Sequence, residues 1–255
     1  MYPIIYIGDR AIGTYGMCML LGFLLAGICA YRKGKQFGIH LEDLLIIIAF
    51  ALAGGLICGG LLYVFVTYSI SEIILFIKQG DFRFLASGLI FYGGLIGGIL
   101  GALLGVRIAG CGLYTIERSV VPFIPLGHAI GRIGCIMAGC CHGFEYSGPF
   151  ALYYPNSLSG LPQTQGYFPV QPLESVINLG ICLILLRVER KSRKTLDLLF
   201  IYLLLYSITR FFLEMLRGDG IRGMWNSLST SQWVSLAIIT VCAFRYLIIF
   251  KKNHN

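Results

Sequence analysis

Charged residues are scarce in this sequence, and their scarcity decides its class. Only 13% of the 255 residues are charged, while 57% are hydrophobic, and the mean hydropathy is +0.79. Several apolar runs are long enough to cross about 30 Å of hydrocarbon. This composition excludes an ordinary soluble domain. It predicts an integral membrane protein, with one multi-pass domain over residues 1–255.

Signals for cleavage, for nucleic acid and for a disulfide framework are also missing. The first apolar segment, 12–31, has no basic region before it and no small-residue cleavage site before YRKGK, which predicts a retained helix. The net charge of +8 is spread over short loops, so no nucleic-acid partner is expected. Five of the nine cysteines fall within apolar helices, where a thiol acts as a small hydrophobe: Cys18, Cys29, Cys58, Cys182 and Cys242.

Seven membrane-spanning helices are predicted, so the expected fold is all-α. They cover residues 12–31, 44–67, 88–109, 119–139, 171–187, 196–216 and 231–250. The loops on one side carry 13 Lys and Arg residues, and those on the other side carry five. The positive-inside bias places the N-terminus outside and the C-terminus in the cytoplasm. Two external segments are expected, an amphipathic arm at about 68–87 and a small ordered cap at about 140–170.

Two arginines, Arg132 and Arg210, lie inside predicted spans. A charge near a helix centre costs about 2.5–3.5 kcal/mol on insertion scales, so it persists only with partners, water or a polar ligand. At about 1.5 Å per residue, both arginines lie about 20 Å from the cytoplasmic edge, in the outer half of the membrane. Polar residues at the outer ends of other spans reach the same layer: Tyr15, Tyr92, Gln171 and Glu174.

Two interpretations fit this polar layer. Glu214 and Arg217 follow Arg210 at i+4 and i+7 on one helix face. In the first interpretation, an Arg210–Glu214 pair only lowers the cost of insertion. In the second, two cations and one anion form a net positive site for a lipid phosphate, which a planar guanidinium holds through two hydrogen bonds. A second intramembrane arginine at the same depth favours the phosphate site.

Cysteine and histidine are also clustered after the fourth span, at Cys135, Cys140, Cys141 and His142. These are zinc ligands, but there is no CxxC pair, and adjacent cysteines rarely bind one ion. Packing is therefore the expected role, with a zinc site and a local disulfide as alternatives. His128 precedes Arg132 by one helical turn and is expected to be a packed, hydrogen-bonded side chain.

Glycines recur at four-residue spacing in the third span: Gly93, Gly97, Gly101 and Gly105. A face of small residues lets two membrane helices approach closely, so this spacing predicts tight helix–helix packing. The alternative is that the missing side chains leave room for a lipid chain.

Five motifs resemble those of one family. GRIGCIMAGCCHG at 131–143 is similar to the signature of bacterial prolipoprotein diacylglyceryl transferases, which is close to GRIGNFxNGExxG. TYG at 14–16 resembles the family's WYG, and FYGGLIGG at 91–98 resembles HGGLIGG. PVQPLE at 169–174 resembles PSQLYE, and RFFLEMLR at 210–217 resembles RxxxExxR. The motifs occur in the family's order along most of the chain.

The resemblance implies a transferase in the bacterial cytoplasmic membrane. It would move the diacylglyceryl group of phosphatidylglycerol, a membrane lipid, to the lipobox cysteine of a prolipoprotein signal peptide. Glycerol 1-phosphate would leave, and no metal or organic cofactor is implied. Arg132 and Arg210 would be catalytic, because they would hold the phosphate and stabilise the departing charge. Glu214 would orient Arg210, and three further residues would line the phosphatidylglycerol headgroup site: Tyr15, Gly143 and Gln171.

Several positions depart from the family's pattern. Tyr92 occupies the catalytic position of the histidine that is proposed to deprotonate the acceptor thiol. A free tyrosine has a pKa near 10, against about 6.5 for histidine, so it is a poor base. Cys135, Ala138 and Cys140 replace two asparagines and a glutamate. Three alternatives follow. In the first, His142, a water or the arginines alone activate the acceptor thiol. In the second the acceptor is a different molecule, and in the third the protein binds lipid without catalysis.

Overall fold

Helices make up most of the molecule. The computed structural model describes residues 2–81, 88–191, 197–218 and 224–254. The helices are α1 (Thr14–Gly34), α2 (Leu41–Thr67), α3 (Ile70–Gln79), α4 (Phe91–Ile108), α5 (Leu113–Val120), α6 (Ile124–Ala138), α7 (Val170–Lys191), α8 (Asp197–Met215) and α9 (Thr230–His254).

Strands are few and short in these ranges. They pair antiparallel as β1 (Ile4–Ile7) with β2 (Arg10–Gly13), β3 (Leu152–Tyr153) with β4 (Gly166–Tyr167), and β5 (Met224–Trp225) with β6 (Leu228–Ser229). The first hairpin leads directly into α1. Thr14, the first residue of α1, donates from both its hydroxyl and its backbone N–H to the carbonyl of Pro3 at 3.0 Å, which fixes the start of the helix. The sequence patterns above did not indicate this hairpin.

The helices coincide with the predicted spans. By length and composition, six segments within the described residues can cross a membrane: Thr14–Phe37, Leu41–Thr67, Leu113–Ala138, Val170–Lys191, Leu198–Met215 and Thr230–Ile248. The shorter apolar helix Gly93–Ile108 falls on the predicted third span. The expected all-α, multi-pass membrane fold is therefore confirmed, and the sidedness of its ends stays a prediction.

The fourth span is broken by proline. Pro122 and Pro125 lack a backbone N–H and cannot continue an i→i−4 hydrogen-bond ladder. Accordingly α5 ends at Val120, a 3₁₀ turn covers Val121–Phe123, and α6 restarts at Ile124 with proline in its first turn. Arg132 therefore lies on a helix that begins only at Ile124.

The chain forms two compact units, residues 33–116 and residues 1–32 with 117–255. In the first unit, the glycine face of α4 lies directly against α2. A Cβ at Gly97 would overlap the backbone oxygen of Gly54, and one at Gly101 would overlap that of Phe50. At Gly105 it would be 2.8 Å from the Cα of Ile47. The predicted close helix packing is confirmed.

Within the same unit, α3 begins at a capping box. The Glu72 carboxylate accepts from the backbone N–H of Ser69 at 2.8 Å, while the Ser69 hydroxyl accepts from the Glu72 N–H. This helix lies within the segment predicted to be an amphipathic arm, and its apolar residues Ile70, Ile74, Leu75 and Ile77 are exposed. The end of that segment, 82–87, lies outside the described residues.

The second unit is built around α7. This helix packs against α6 on one side and α8 on the other, and α8 packs against α9. Val121, Ile181, Leu185 and Leu198 form its apolar core. Toward the C-terminal end of α7, the buried Glu189 accepts from Arg118, with Nε at 2.9 Å and Nη2 at 2.5 Å. The apolar core thus lies between this ion pair and the buried polar residues at the start of α7.

The α2–α4 contact can be tested with single methyl groups. We expect Gly97→Ala and Gly101→Ala each to lower the free energy of unfolding by about 1–3 kcal/mol, because the added carbon overpacks the helix contact. Denaturant titration in detergent micelles measures the change.

Gly98→Ala is the matched control. A Cβ at this position would be 3.6 Å from the Ala51 carbonyl, an ordinary contact. Equal destabilisation by all three substitutions would contradict the packing argument.

Candidate active site

One buried carboxylate brings the two intramembrane arginines together. Glu174 on α7 has a side chain that is only 1% exposed. Its Oε1 is 2.6 Å from Nη2 of Arg132 on α6, and its Oε2 is 3.9 Å from Nη1 of Arg210 on α8. Three helices therefore meet at a single anion. The sequence placed Glu174 in the polar layer but did not indicate that both arginines share it.

The polar face of α7 explains the position of Glu174. Its buried polar residues follow helical spacing: Gln171, Glu174, Ser175 and Asn178. The Ser175 hydroxyl donates to the Ala129 carbonyl on α6 at 2.8 Å, which fixes the two helices together. The Asn178 amide donates to the Glu174 carbonyl at 2.8 Å. This face is turned toward α6 and away from the lipid.

The Arg210–Glu214 pair forms as the i+4 spacing predicts. Nη2 of Arg210 is 2.7 Å from Oε2 of Glu214, whose side chain is 6% exposed. Arg217, one further turn along, lies within electrostatic range of both Arg132 and Arg210. Three guanidinium groups thus face two carboxylates, which leaves one net positive charge in a buried layer.

Two buried arginine donors at this layer point to a ligand. Nε of Arg132 and Nη1 of Arg210 have no hydrogen-bond partner among the described residues. A buried donor without an acceptor costs about 1–3 kcal/mol, and more when it is charged. An oxyanion between the two guanidinium groups would satisfy both donors. The arrangement can therefore bind a phosphate group.

Gln171 is also at the site, and both ends of its amide are engaged. It is fully buried; its Oε1 accepts from the Tyr154 hydroxyl at 3.0 Å, and its Nε2 donates to the Cys140 carbonyl at 2.9 Å. Burial raises the pKa of Tyr154 to about 12, so the hydroxyl remains a donor. Gln171 thereby ties the 140–169 segment, with its β3–β4 ladder, to the start of α7.

Gly143 lies where two backbones cross. It pairs with Arg217 as an isolated β-bridge, and a Cβ on it would overlap the Phe168 carbonyl. The backbone N–H of Gly218 donates to the His142 carbonyl at 3.1 Å, next to this bridge. Only glycine fits this crossing. Gly143 therefore holds the 140–169 segment against the end of α8, beside Arg217.

Tyr15 enters the same region from α1. The first helix approaches α6 at Gly134, where a Cβ would be 2.9 Å from that of Cys18 and 3.3 Å from the Cα of Tyr15. Tyr15 is 44% exposed and lies within electrostatic range of Arg132. The structure thus brings Tyr15 into the neighbourhood of the arginine layer. The side chain of Tyr92 lies outside the described part of the structure.

His128 is a packed side chain. Its Nε2 is 3.5 Å from Oε1 of Glu174, and its ring lies 5.3 Å from that of Tyr206. Neither contact of Glu174, to His128 or to the arginines, was predicted. The sequence offered one signal for these contacts. Glu174 closes PVQPLE at the start of an apolar helix, where a carboxylate also needs a partner.

Removing the shared carboxylate tests its structural role. We expect Glu174→Ala to lower the free energy of unfolding by about 3–5 kcal/mol, because two buried cations lose their common anion. Glu174→Gln should cost less, since its amide oxygen still accepts from Arg132. Denaturant titration in micelles compares the variants.

Glu145→Ala is the control, because this carboxylate is exposed in the same unit. A change within about 0.5 kcal/mol is expected for it. The same small change in Glu174→Ala would contradict the charge arrangement.

Comparison with known proteins adds an independent observation. The model of a family described as prolipoprotein diacylglyceryl transferase matches residues 3–248. Phosphatidylglycerol–prolipoprotein diacylglyceryl transferase 2 of Clostridium perfringens is 31% identical over 227 residues, covering 89% of this chain and 86% of that protein. The phosphatidylglycerol–prolipoprotein diacylglyceryl transferase of Clostridium tetani is 31% identical, covering 90% of this chain and 90% of that protein. The transferase so named from Clostridioides difficile is also 31% identical, covering 94% of this chain and 92% of that protein.

Proposed function

The chain belongs to the prolipoprotein diacylglyceryl transferase family, and on that premise we propose that it transfers the diacylglyceryl group of phosphatidylglycerol to a prolipoprotein cysteine. It is a multi-pass protein of the bacterial cytoplasmic membrane. In the reaction, a bond forms between the acceptor sulfur and the glycerol carbon, and the bond from that carbon to the phosphate oxygen breaks. Glycerol 1-phosphate leaves with the phosphate's charge, and the thiol gives up its proton.

The observation that carries the proposal is the pair of arginines around Glu174. Arg132 and Arg210 lie on different helices, yet both are within 4 Å of that one carboxylate. Their unsatisfied donors, Nε and Nη1, are the groups that bind the lipid phosphate. As the carbon–oxygen bond breaks, negative charge grows on the departing phosphate. Fixed cations in a site shielded from water stabilise that charge without reorganising.

Other residues position this pair. Glu174 and Glu214 each hold one side of a guanidinium, which leaves its other donors directed to the ligand. Gln171 and Gly143 hold the 140–169 segment over the same layer, and Tyr15 adds a half-exposed hydroxyl near Arg132. Together these residues form the headgroup site. This assignment is supported because these residues lie near the arginine layer and within motifs that resemble the family's.

His142 takes the thiol proton in this proposal. Its Nδ1 is 2.8 Å from the Gly143 carbonyl, and because a carbonyl only accepts, the proton of the neutral ring is on Nδ1. Nε2 is then left with a lone pair that can act as a base. Tyr92 stands at the family's histidine position and stays a candidate catalytic residue.

The arginines are tested in proteoliposomes that contain phosphatidylglycerol and a peptide with a lipobox cysteine. We expect Arg132→Ala and Arg210→Ala each to reduce formation of the thioether product by at least about 100-fold, because each removes a charge from the departing phosphate. Lysine should not restore activity, since it lacks the planar fork. Mass spectrometry of the peptide measures the product.

Arg107→Ala is the matched control, because Arg107 is an exposed residue in the last turn of α4. A cysteine-to-serine peptide controls for the acceptor. Full activity in either arginine variant would refute the mechanism. Binding of phosphatidylglycerol without any thioether product in the unaltered protein would instead indicate a lipid-binding protein.

Two substitutions separate the roles of His142. Asparagine can keep a donor near the Nδ1 position but has no base at Nε2, whereas alanine keeps neither. We expect His142→Asn and His142→Ala both to lower kcat by about 100-fold, with KM for the lipid unchanged, because general-base catalysis is lost. Recovery of activity in His142→Asn would show that the hydrogen bond to Gly143 is what matters.

A further inference from the structure

Three cysteine thiols that the proposed reaction does not use meet beside Arg132. The Sγ atoms of Cys135, Cys140 and Cys141 all lie within 4.8 Å of one another. Cys135 is 7% exposed, the other two are half-buried, and none of the three is in a disulfide. Three sulfur atoms so close in a half-buried setting form a candidate ligand set for a thiophilic metal ion.

The backbone shows how adjacent cysteines come to point the same way. The α6 helix ends at Ala138, and Gly139 has a positive φ of 67°. Cys141 also has a positive φ of 58°, a conformation that non-glycine residues adopt rarely and at a cost of about 1–3 kcal/mol. Side chains of consecutive residues usually diverge, but this turn sends both thiols back toward Cys135. The two adjacent cysteines therefore face a common centre with Cys135.

Neighbouring side chains hold the turn and place two cations beside the thiols. The Gln171 amide, fully buried, donates to the Cys140 carbonyl at 2.9 Å and so fixes the turn against α7. Nη1 of Arg132 is 3.9 Å from the Cys135 sulfur, and Arg217 hydrogen-bonds the Cys141 side chain. Two guanidinium groups therefore lie beside the thiols, where their charge can offset that of a metal–thiolate group.

We propose that Cys135, Cys140 and Cys141 form a three-thiolate site for one thiophilic divalent ion of the zinc type. Zinc–sulfur bonds of about 2.3 Å place the sulfurs of a tetrahedral ion about 3.8 Å apart, which is compatible with three sulfurs that all lie within 4.8 Å of one another. Three thiolates and a divalent ion carry one net negative charge, which Arg132 and Arg217 offset. Three protein ligands leave the fourth position for water or for an external thiol.

Metal binding is measured on the full chain in detergent, reduced and stripped with a chelator. We expect the protein to bind about one Zn²⁺ or Cd²⁺ per chain, with elemental analysis giving the stoichiometry. Cys135→Ser, Cys140→Ser and Cys141→Ser should each lower the affinity at least about tenfold. X-ray absorption of the unaltered, loaded protein should show three sulfur ligands at about 2.3 Å.

Cys111→Ser is the matched control, because this partly buried cysteine lies in the loop after α4, in the other unit. Thermal unfolding verifies that each variant is folded, and the absorption spectrum needs no variant at all. The proposal is overturned by the absence of stoichiometric binding, by equal binding in the three variants, or by mass spectrometry showing that two of the cysteines form a disulfide. No lipid or peptide is present, so this result is separate from the test of transfer.

Discussion

The arrangement of the second unit depends on the need to balance charge away from water. A guanidinium in the hydrocarbon layer requires an anion, and a buried carboxylate requires a cation. Glu174 meets both requirements for helices α6, α7 and α8 at once. Because ion contacts work over short distances, the three helices can satisfy these charges in very few relative positions. The charge cluster therefore specifies the packing of this unit as well as its chemistry.

The same charge cluster has arginine donors that its own contacts do not use. If every donor of Arg132 and Arg210 were matched by a protein acceptor, the layer would be a closed structural network. Instead Arg132 Nε and Arg210 Nη1 stay unsatisfied within the described residues, and the layer keeps one net positive charge. In the proposed site, stability and phosphate binding thus use different atoms of the same side chains. Glu174 stabilises the arginines without neutralising them fully, which preserves their attraction for a phosphate.

Glycine and proline prepare the setting in which these charges act. Pro122 and Pro125 break the fourth span and set α6 in its orientation. Gly134 lets α1 come close enough to bring Tyr15 near Arg132, and Gly143 lets the 140–169 segment cross the end of α8. Each residue acts through what it lacks, an N–H or a side chain. These absences bring together the residues of the proposed headgroup site.

Much of this protein could be predicted from its sequence, because hydrophobic length and local spacing are properties of contiguous residues. The spans, the glycine contact of α4 and the Arg210–Glu214 pair are of this kind. The motifs around Arg132 and Arg210 also indicated the family. Tertiary structure alone decided that Arg132 and Arg210 share Glu174, that Gln171 is used internally, and that three thiols converge. These contacts join residues 31 to 42 positions apart or depend on a positive φ at Cys141, and neither helical period nor residue spacing encodes such distances.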